Sequence, residues 1–331
     1  MNKKAILLSL AAAVIMTSCS AGGSAPQQTS AGGEVSVAQT SAATAAQTEQ
    51  QPDDFHVSLC AMYGLSEEDY PIIDGSTSAI PLDAGIRAAL FDLSQADAEA
   101  EIVHTTTHQS FERLINGEVD AIFTVPISAE QQAAANQKGI TLESVPAAME
   151  GFVFVVNADN PVESLTQEQI KGIYSGKITN WSEVGGNDAE IIPFQRNLDS
   201  GSQNYMTVFM GDEELIEAKS EYLLYGMAGI LDAISGYDNG VDSIGYSVYS
   251  YASDMYNNAN GIKFISVDGV KPSLETMASG EYPLLSCTYF MYSADEPQDS
   301  PVRKLAEFIA SDLGQQAVES SGYVKAQQLK K

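Results

Sequence analysis

The chain has little positive charge. Its 331 residues include 16 Lys and Arg against 44 Asp and Glu, which gives a formal net charge of −28. So acidic a surface argues against nucleic acid and against electrostatic docking to anionic lipid, and it repels anions at long range. Any affinity for an anion must therefore come from short-range hydrogen bonds.

Histidine is scarce too, with three in the chain. His104 and His108 would share one face of a helix and could then hold zinc, but no cysteine or acidic cluster accompanies them. Ser200 and Ser202 lack a Gly-x-Ser-x-Gly elbow, and no motif places a general base beside them. We therefore expect a protein that is not an enzyme and that uses no metal or cofactor.

Long hydrophobic runs are absent after the first 18 residues. The apolar run at 5–16 follows two lysines and is short for a membrane span, as is typical of a secretory signal. The stretch Met16–Cys19 resembles a bacterial lipoprotein signal, which implies a signal peptide at 1–18 and a lipid on Cys19. Residues 19–54, rich in Ser, Ala, Gly, Gln and Thr, are predicted to be a disordered tether.

Two cysteines, Cys60 and Cys287, remain beyond the signal. An exported compartment permits a disulfide between them, whereas a buried thiol is the usual state of a lone cysteine. The sequence leaves both alternatives open.

Past the tether, strand patterns alternate with helix patterns. Strands are predicted at 70–75, 101–104, 120–125, 151–157 and 289–292, and helices at 79–93, 110–115, 166–174, 300–310 and 313–319. Such alternation predicts an α/β protein with parallel sheets covered by helices. Ligands of these folds bind at the carboxyl ends of strands, often at helix starts.

The strongest functional signal lies in residues 177–202. Arg196 stands four residues ahead of Ser200-Gly201-Ser202, so a planar fork of donors precedes a turn with two hydroxyls and several backbone N–H groups. A helix starting at this turn would add its positive end. The pattern predicts a site for a small anion, although Arg196 could instead form a surface ion pair with Asp199 or Glu190.

Two further segments carry hydroxyls. Ser76-Thr77-Ser78 precedes a predicted helix, where such residues commonly act only as an N-cap. Thr105-Thr106-Thr107 follows a predicted strand and could simply end it, because β-branched residues favour strands. From the residues alone, both segments could serve structure or ligand.

At this point the chain resembles a known family. The matching segments, in family order, are Asp74–Ser78, Ile173–Trp181, Arg196 with Ser200–Ser202, and Ile244–Ser247. They resemble the phosphate-binding component of phosphate ABC transporters, within the type II periplasmic binding protein superfamily. The resemblance runs from about residue 66 to the end of the chain.

The resemblance implies two α/β domains joined by hinge strands, with a ligand cleft between them. Residues 66–156 plus 286–331 would form domain I, and 157–285 would form domain II. The ligand-binding positions that it implies are Thr77, Ser78, Thr107, Arg196, Ser200, Gly201 and Ser202.

One position departs from the family. Phosphate binders carry an aspartate that accepts the proton retained by phosphate, and this aspartate falls on Val125. Sulfate has no such proton, so the carboxylate would reject it. Thr124, Asp74 or Asp199 could substitute. Phosphate stays the expected ligand, and selectivity against sulfate, molybdate or a phosphorylated organic ligand stays open.

The function implied is that of an extracytoplasmic solute-binding lipoprotein. It would be a monomer that touches the cell membrane through its lipid anchor only, captures inorganic phosphate or a similar tetrahedral oxyanion, and delivers it to ABC transporter permease subunits. The alternatives are a binder of another oxyanion, or a tethered sensor or adhesion module that retains the fold.

Overall fold

Helices and strands alternate along the part of the chain that the structure describes. This computed structural model describes residues 58–198, 200–224, 227–236, 240–255 and 261–326. The predicted signal peptide, Cys19 and the tether lie outside the described residues. The helices are α1 (Leu59–Tyr63), α2 (Ile80–Phe91), α3 (Gln95–Ala100), α4 (Thr107–Ile115), α5 (Ala129–Gln137), α6 (Gln167–Tyr174), α7 (Gly201–Met210), α8 (Met227–Gly236), α9 (Leu274–Ala278), α10 (Pro301–Ala310) and α11 (Asp312–Ser320). The strands are β1 (Ile73–Gly75), β2 (Ala121–Thr124), β3 (Leu142–Asn157), β4 (Ser164–Leu165), β5 (Ile192–Pro193), β6 (Gln195–Arg196), β7 (Leu223–Leu224), β8 (Ser243–Val248), β9 (Ile262–Phe264), β10 (Ser266–Val267), β11 (Leu285–Ser293) and β12 (Val324–Lys325).

Capping residues fix where several helices begin. Thr166 accepts a hydrogen bond from the Gln169 backbone while the Gln169 side chain returns one, so a capping box starts α6. Ser300 caps α10, with Pro301 in its first turn, and Pro81 lies in the first turn of α2. These helices confirm the sequence predictions to within a residue or two.

The main sheet is mixed. Its strand order is β1-β2-β11-β3-β8-β5, and β12 and β9 also pair with β3. The pairs β1–β2 and β5–β8 are parallel, as the alternation predicts. However, β11 is antiparallel to both β2 and β3, and β3 is antiparallel to β8. The expectation of purely parallel sheets is therefore wrong for the central strands.

Strand β3 crosses from one half of the sheet to the other. Over residues 142–151 it pairs with β11, and over 152–156 it pairs with β8. Ten consecutive residues, 147–156, are buried, nine of them apolar or glycine and the tenth Glu150. A strand covered on both faces has a continuous apolar sequence. For this reason the sequence predicted the second half of β3 as a strand.

The apolar core falls into three clusters. One surrounds the second half of β3 and includes Trp181, which is 1% exposed and donates through Nε1 to the Asp242 carbonyl. The second packs α2, α10 and α11 against β2 and the first half of β3, and the third packs α4 and α5 against β2. The domain boundaries given above stay a prediction.

The predicted strand at 101–104 is wrong. Residues 102–106 adopt no regular structure and α3 precedes them, because these residues find no neighbouring strand to pair with. Cys60 and Cys287 are both free thiols, so the two cysteines do not form a bridge. Among the described residues, no helix has the length and apolar character needed to cross a bilayer.

Candidate functional site

A cleft of about 760 Å³ collects the segments that the sequence singled out. Its walls come from the loop after β1, the start of α4, the segment from β6 into α7, and α8. The lining residues are Ser76, Thr77, Thr106, Thr107, His108, Gln109, Arg196, Asn197, Ser200, Gly201, Ala228, Gly229, Asp232 and Tyr251. Five of the seven predicted ligand-binding residues are among them, and Ser78 and Ser202 lie just behind.

Thr77 enters the cleft from a tightly held loop. The Ser76 backbone N–H donates to the Phe123 carbonyl at 3.0 Å, and the Tyr323 hydroxyl donates to the Ser78 carbonyl at 2.8 Å. The Ser76 and Ser78 hydroxyls lie 2.9 Å apart and hydrogen-bond each other. Neither caps a helix, since the short 3₁₀ turn at 77–79 has no side-chain cap. The N-cap interpretation is therefore wrong for Ser76 and Ser78.

Thr107 is the first residue of α4. Thr106 caps this nine-residue helix by accepting a bond from the Gln109 backbone, so the positive end of α4 opens into the cleft. Thr107 is buried, at 5% exposure. The threonines therefore begin a helix, and the expectation that they end a strand is wrong.

Arg196 supplies the cleft's positive charge from β6. It is 6% exposed, which excludes the reading of Arg196 as a surface group. Its Nε donates to the Leu224 carbonyl at 3.2 Å and its Nη1 to the Ser202 hydroxyl at 3.4 Å. Its backbone N–H donates to the Tyr246 hydroxyl at 2.9 Å. Burial lowers the pKa of Arg196, yet a guanidinium remains charged in proteins.

The Ser-Gly-Ser turn starts α7, as predicted. Ser200 caps the helix by accepting a bond from the Gln203 backbone at 3.1 Å, and the Ser200 and Ser202 hydroxyls lie 3.3 Å apart. Gly201 is the first helical residue. A Cβ placed on Gly201 would lie only 2.7 Å from the Thr107 hydroxyl oxygen. The starts of α4 and α7 therefore meet in the cleft.

Val125 packs at this meeting point. Its Cγ2 would lie 3.3 Å from a Cβ on Gly201, and the side chain is 4% exposed. No carboxylate stands at this position. The proposed substitute Asp74 is fully buried, and its oxygens already accept from the Thr105 N–H and hydroxyl, the Gly75 N–H and the Arg113 guanidinium, at 2.5–2.9 Å. Asp74 is therefore a structural group.

The other two proposed substitutes for the missing aspartate are Thr124 and Asp199. Thr124 is fully buried, does not line the cleft, and its hydroxyl has no hydrogen-bond partner among the described residues. Asp199 lies outside the described residues.

Helix α8 contributes a wall that the sequence did not reveal. Ala228, Gly229 and Asp232 line the cleft from α8, and Tyr251, which follows β8, lines it beside them. Burial raises the pKa of Tyr251, the Asp232 charge raises it further, and Arg196 opposes both. Helix α8 is largely apolar, with the sequence Met-Ala-Gly-Ile-Leu-Asp-Ala-Ile-Ser-Gly. Its single carboxylate was therefore the only sequence signal of a site.

The two histidines of the zinc hypothesis have different surroundings. His108 lines the cleft beside Thr107. The His104 side chain is fully buried, and its two ring nitrogens each lie 3.0 Å from an oxygen, one of Ser76 and one of Asp83. Both nitrogens of His104 are thus committed to protein oxygens.

Several known proteins are similar to this chain in sequence. The phosphate-binding protein PstS of Staphylococcus epidermidis is 29% identical over 234 residues, covering 69% of this chain and 70% of the relative. PstS of Bacillus subtilis is 26% identical over 259 residues, covering 78% and 81%.

Solved structures share the fold. A putative phosphate ABC transporter substrate-binding protein from Clostridium perfringens, solved with bound phosphate, is 25% identical, with a TM-score of 0.59 over 77% of this chain and 98% of that one. An ABC-type phosphate transport receptor from Vibrio cholerae, 23% identical over 76% of this chain and 98% of its own, gives a TM-score of 0.55. A family model described as the PBP superfamily domain matches residues 25–312. This chain therefore belongs to the PBP superfamily, the superfamily of substrate-binding proteins that its sequence resembles.

Proposed function

We propose that this protein captures inorganic phosphate in the cleft and delivers it to an ABC transporter permease. One observation carries the proposal: the buried Arg196 opens into a cleft where Gly201, at the start of α7, meets Thr107, at the start of α4. Two helix N-termini and one guanidinium then face the same cleft, where one small anion can contact all three. The names of the relatives, which are phosphate-binding proteins, support the same ligand.

The donors suit a tetrahedral oxyanion in an acidic protein. Hydroxyls of Thr77, Thr107 and Ser200 and backbone N–H groups at the starts of α4 and α7 add no full charge, so they bind oxygens at short range without altering the long-range field. Arg196 adds the single cation whose planar fork fits two oxygens of one ion. The net charge of −28 repels anions only until the ion reaches these groups.

The remaining assignments complete the proposal. Ser78 and Ser202 support the loops that carry Thr77 and Arg196, and a lipid on Cys19 holds the monomeric protein on the extracytoplasmic side of the membrane. Domain I comprises residues 66–156 and 286–331, and domain II comprises 157–285. The change of partner along β3, from β11 to β8, supports a hinge at this crossing.

Isothermal titration calorimetry tests the proposal. The protein should bind one phosphate per chain, and Arg196→Ala should weaken binding about a hundredfold or more, because the anion loses its charged partner in a buried site. Lys177→Ala is the control, since it removes a positive charge from an exposed ion pair with Glu213, outside the cleft lining. Absence of heat with phosphate, sulfate and molybdate alike would refute the oxyanion proposal.

A further inference from the structure

A buried histidine–aspartate pair stands directly behind the loop that carries Thr77. His104 has no exposed side-chain surface and Asp83, on α2, has 4%. The His104 Nδ1 lies 3.0 Å from the Ser76 carbonyl oxygen, and its Nε2 lies 3.0 Å from Asp83 Oδ2. The sequence suggested only zinc binding for His104, and that hypothesis gives the His104–Asp83 pair no role.

These two contacts require an extra proton. A backbone carbonyl only accepts hydrogen bonds, so Nδ1 must carry a hydrogen toward Ser76. A neutral imidazole would then present a bare lone pair on Nε2 to the Asp83 carboxylate, and two acceptors would face each other at 3.0 Å. The pair therefore holds a proton between Nε2 and Oδ2, either as imidazolium with carboxylate or as imidazole with carboxylic acid.

That proton bears on the shape of the ligand loop. The Ser76 carbonyl accepts from His104 and from the Ala79 N–H at 2.9 Å, so both of its lone pairs are used. Gly75 lies against the ring, since a Cβ there would lie 3.1 Å from His104 Cε1 and Nδ1. Thr77, next along the chain, enters the cleft. A ring that turned away from Ser76 would free the carbonyl one residue before a ligand donor.

Arg87 on α2 and the Tyr70 hydroxyl lie near Asp83: burial raises the pKa of Tyr70, the Asp83 charge raises it further, and Arg87 lowers it. Asp83 Oδ1 has no hydrogen-bond partner among the described residues. His104 is thus the group placed to hold the Asp83 proton.

We propose that His104 is a positioning residue, and that the proton it shares with Asp83 holds the Ser76–Ser78 loop in its phosphate-binding shape. The inference rests on the proposed function. A variant without the Nε2–Oδ2 hydrogen bond should therefore bind phosphate more weakly, because the ring no longer holds Ser76.

The substitution Asp83→Asn separates this role from simple packing. An asparagine amide donates to the Nε2 lone pair of neutral His104 while Nδ1–H still bonds Ser76, so the same network forms. Asp83→Leu fills a similar volume but offers Nε2 no hydrogen bond. We expect Asp83→Asn to bind phosphate within about twofold of the unmodified protein, whereas Asp83→Leu and His104→Ala should bind it about five- to tenfold more weakly.

Calorimetry with phosphate measures these affinities, with Asp97→Leu as the control. Asp97 is an exposed carboxylate in the first turn of α3, so its variant should bind phosphate as the unmodified protein does. Equal phosphate affinity for Asp83→Leu and the unmodified protein would overturn the inference while leaving phosphate binding intact. No phosphate binding by the unmodified protein would overturn the proposed function and this inference together.

If the His104→Ala variant fails to fold, a second measurement still tests the inference. Nitrogen NMR of the His104 ring in the unmodified protein should show both ring nitrogens protonated or in shared hydrogen bonds near neutral pH. A ring with a bare Nε2 beside an ionised Asp83 would overturn the inference without any ligand.

Discussion

At the scale of single residues, we infer that Val125 bears on which oxyanion the cleft prefers. Its isopropyl group packs where the starts of α4 and α7 meet, and Asp74 is bound by four donors. Among the described lining residues, Asp232 on α8 is the one carboxylate. With valine at the meeting point, no acceptor there distinguishes a protonated oxyanion from an unprotonated one.

We therefore predict weak discrimination between phosphate and sulfate. Val125→Asp should raise the preference for phosphate about tenfold or more, because sulfate would leave the new carboxylate facing an oxygen. Val125→Asn is the matched control, since its amide also donates and so tolerates sulfate. Competition calorimetry measures both. Strong rejection of sulfate by the unmodified protein would contradict this account and direct attention to Asp232.

The buried Glu150 carboxyl should make the stability of the fold depend on pH. This carboxyl lies on β3 at 3% exposure and accepts from the Ser250 hydroxyl at 2.5 Å and from the Gly151 N–H at 3.0 Å. Burial raises the pKa of Glu150 to about 7, against the opposing hydrogen bonds. The folded protein therefore keeps a proton that the unfolded chain releases near its ordinary pKa of about 4.3, and stability falls as pH rises from there to about 7.

Glu150→Gln should remove this pH dependence. Relative to the variant, the unmodified protein should lose on the order of 3 kcal/mol of unfolding free energy between about pH 4.5 and about pH 8. Urea unfolding at both pH values measures it. Glu163→Gln, at an exposed carboxyl paired with Lys263, should leave the dependence unchanged. Parallel curves for Glu150→Gln and the unmodified protein would show that Glu150 does not titrate in this way.

The chemistry of the site was more predictable than its support. Arg196 and Ser200 could be identified because a guanidinium and a hydroxyl before a helix start indicate anion binding. Thr107 was implied only by the family resemblance. The roles of Asp74 and His104 could not be identified, because their partners lie far away in sequence and are fixed only by the fold. The His104–Asp83 contact spans 21 residues, and the Arg113–Asp74 pair spans 39.

At the scale of elements, the site depends on two helix starts in contact. Helix α7 can approach α4 because its first residue, Gly201, has no side chain, and any Cβ there would press on the Thr107 oxygen at 2.7 Å. Separations below about 3 Å force a shift of one element. The glycine is thus required for close approach.

Gly201→Ala should weaken phosphate binding about tenfold, because it drives apart the donors that must reach one ion. Gly229→Ala is the control: it lies on α8 in the same cleft, its added methyl would meet Leu224 at an ordinary 3.5 Å, and alanine favours a helix. Calorimetry with thermal unfolding compares them. Equal phosphate affinity for both variants would show that the contact between α4 and α7 does not position the donors.

Elements with local signals were predicted well, and elements defined by distant partners were not. Ser300 and Thr166 mark helix starts within a few residues, which makes α10 and α6 readable. The segment 101–104 carries β-branched residues but finds no partner strand. Strand β11 is antiparallel to its neighbours because its position in the sheet is set by β2 and β3, more than a hundred residues earlier.

At the scale of the whole molecule, the acidic surface and the anion cleft are compatible. The charge of −28 acts over distances that salt screens, whereas the cleft acts through hydrogen bonds at contact distance. Two segments far apart in sequence, around Thr107 and around Arg196–Gly201, supply two facing walls of the cleft. The account therefore requires that one ion touches both walls.

Phosphate titration of the unmodified protein, Thr107→Val and Arg196→Ala tests this requirement most directly. Thr107→Val keeps the side-chain shape and removes one donor, so affinity should fall about fivefold, while Arg196→Ala should abolish measurable binding. Thr207→Val makes the same change on α7 outside the cleft lining and should bind normally. Single-site binding weakened from both walls is the predicted result. Unchanged affinity in Thr107→Val, or no phosphate binding by the unmodified protein, would contradict the account.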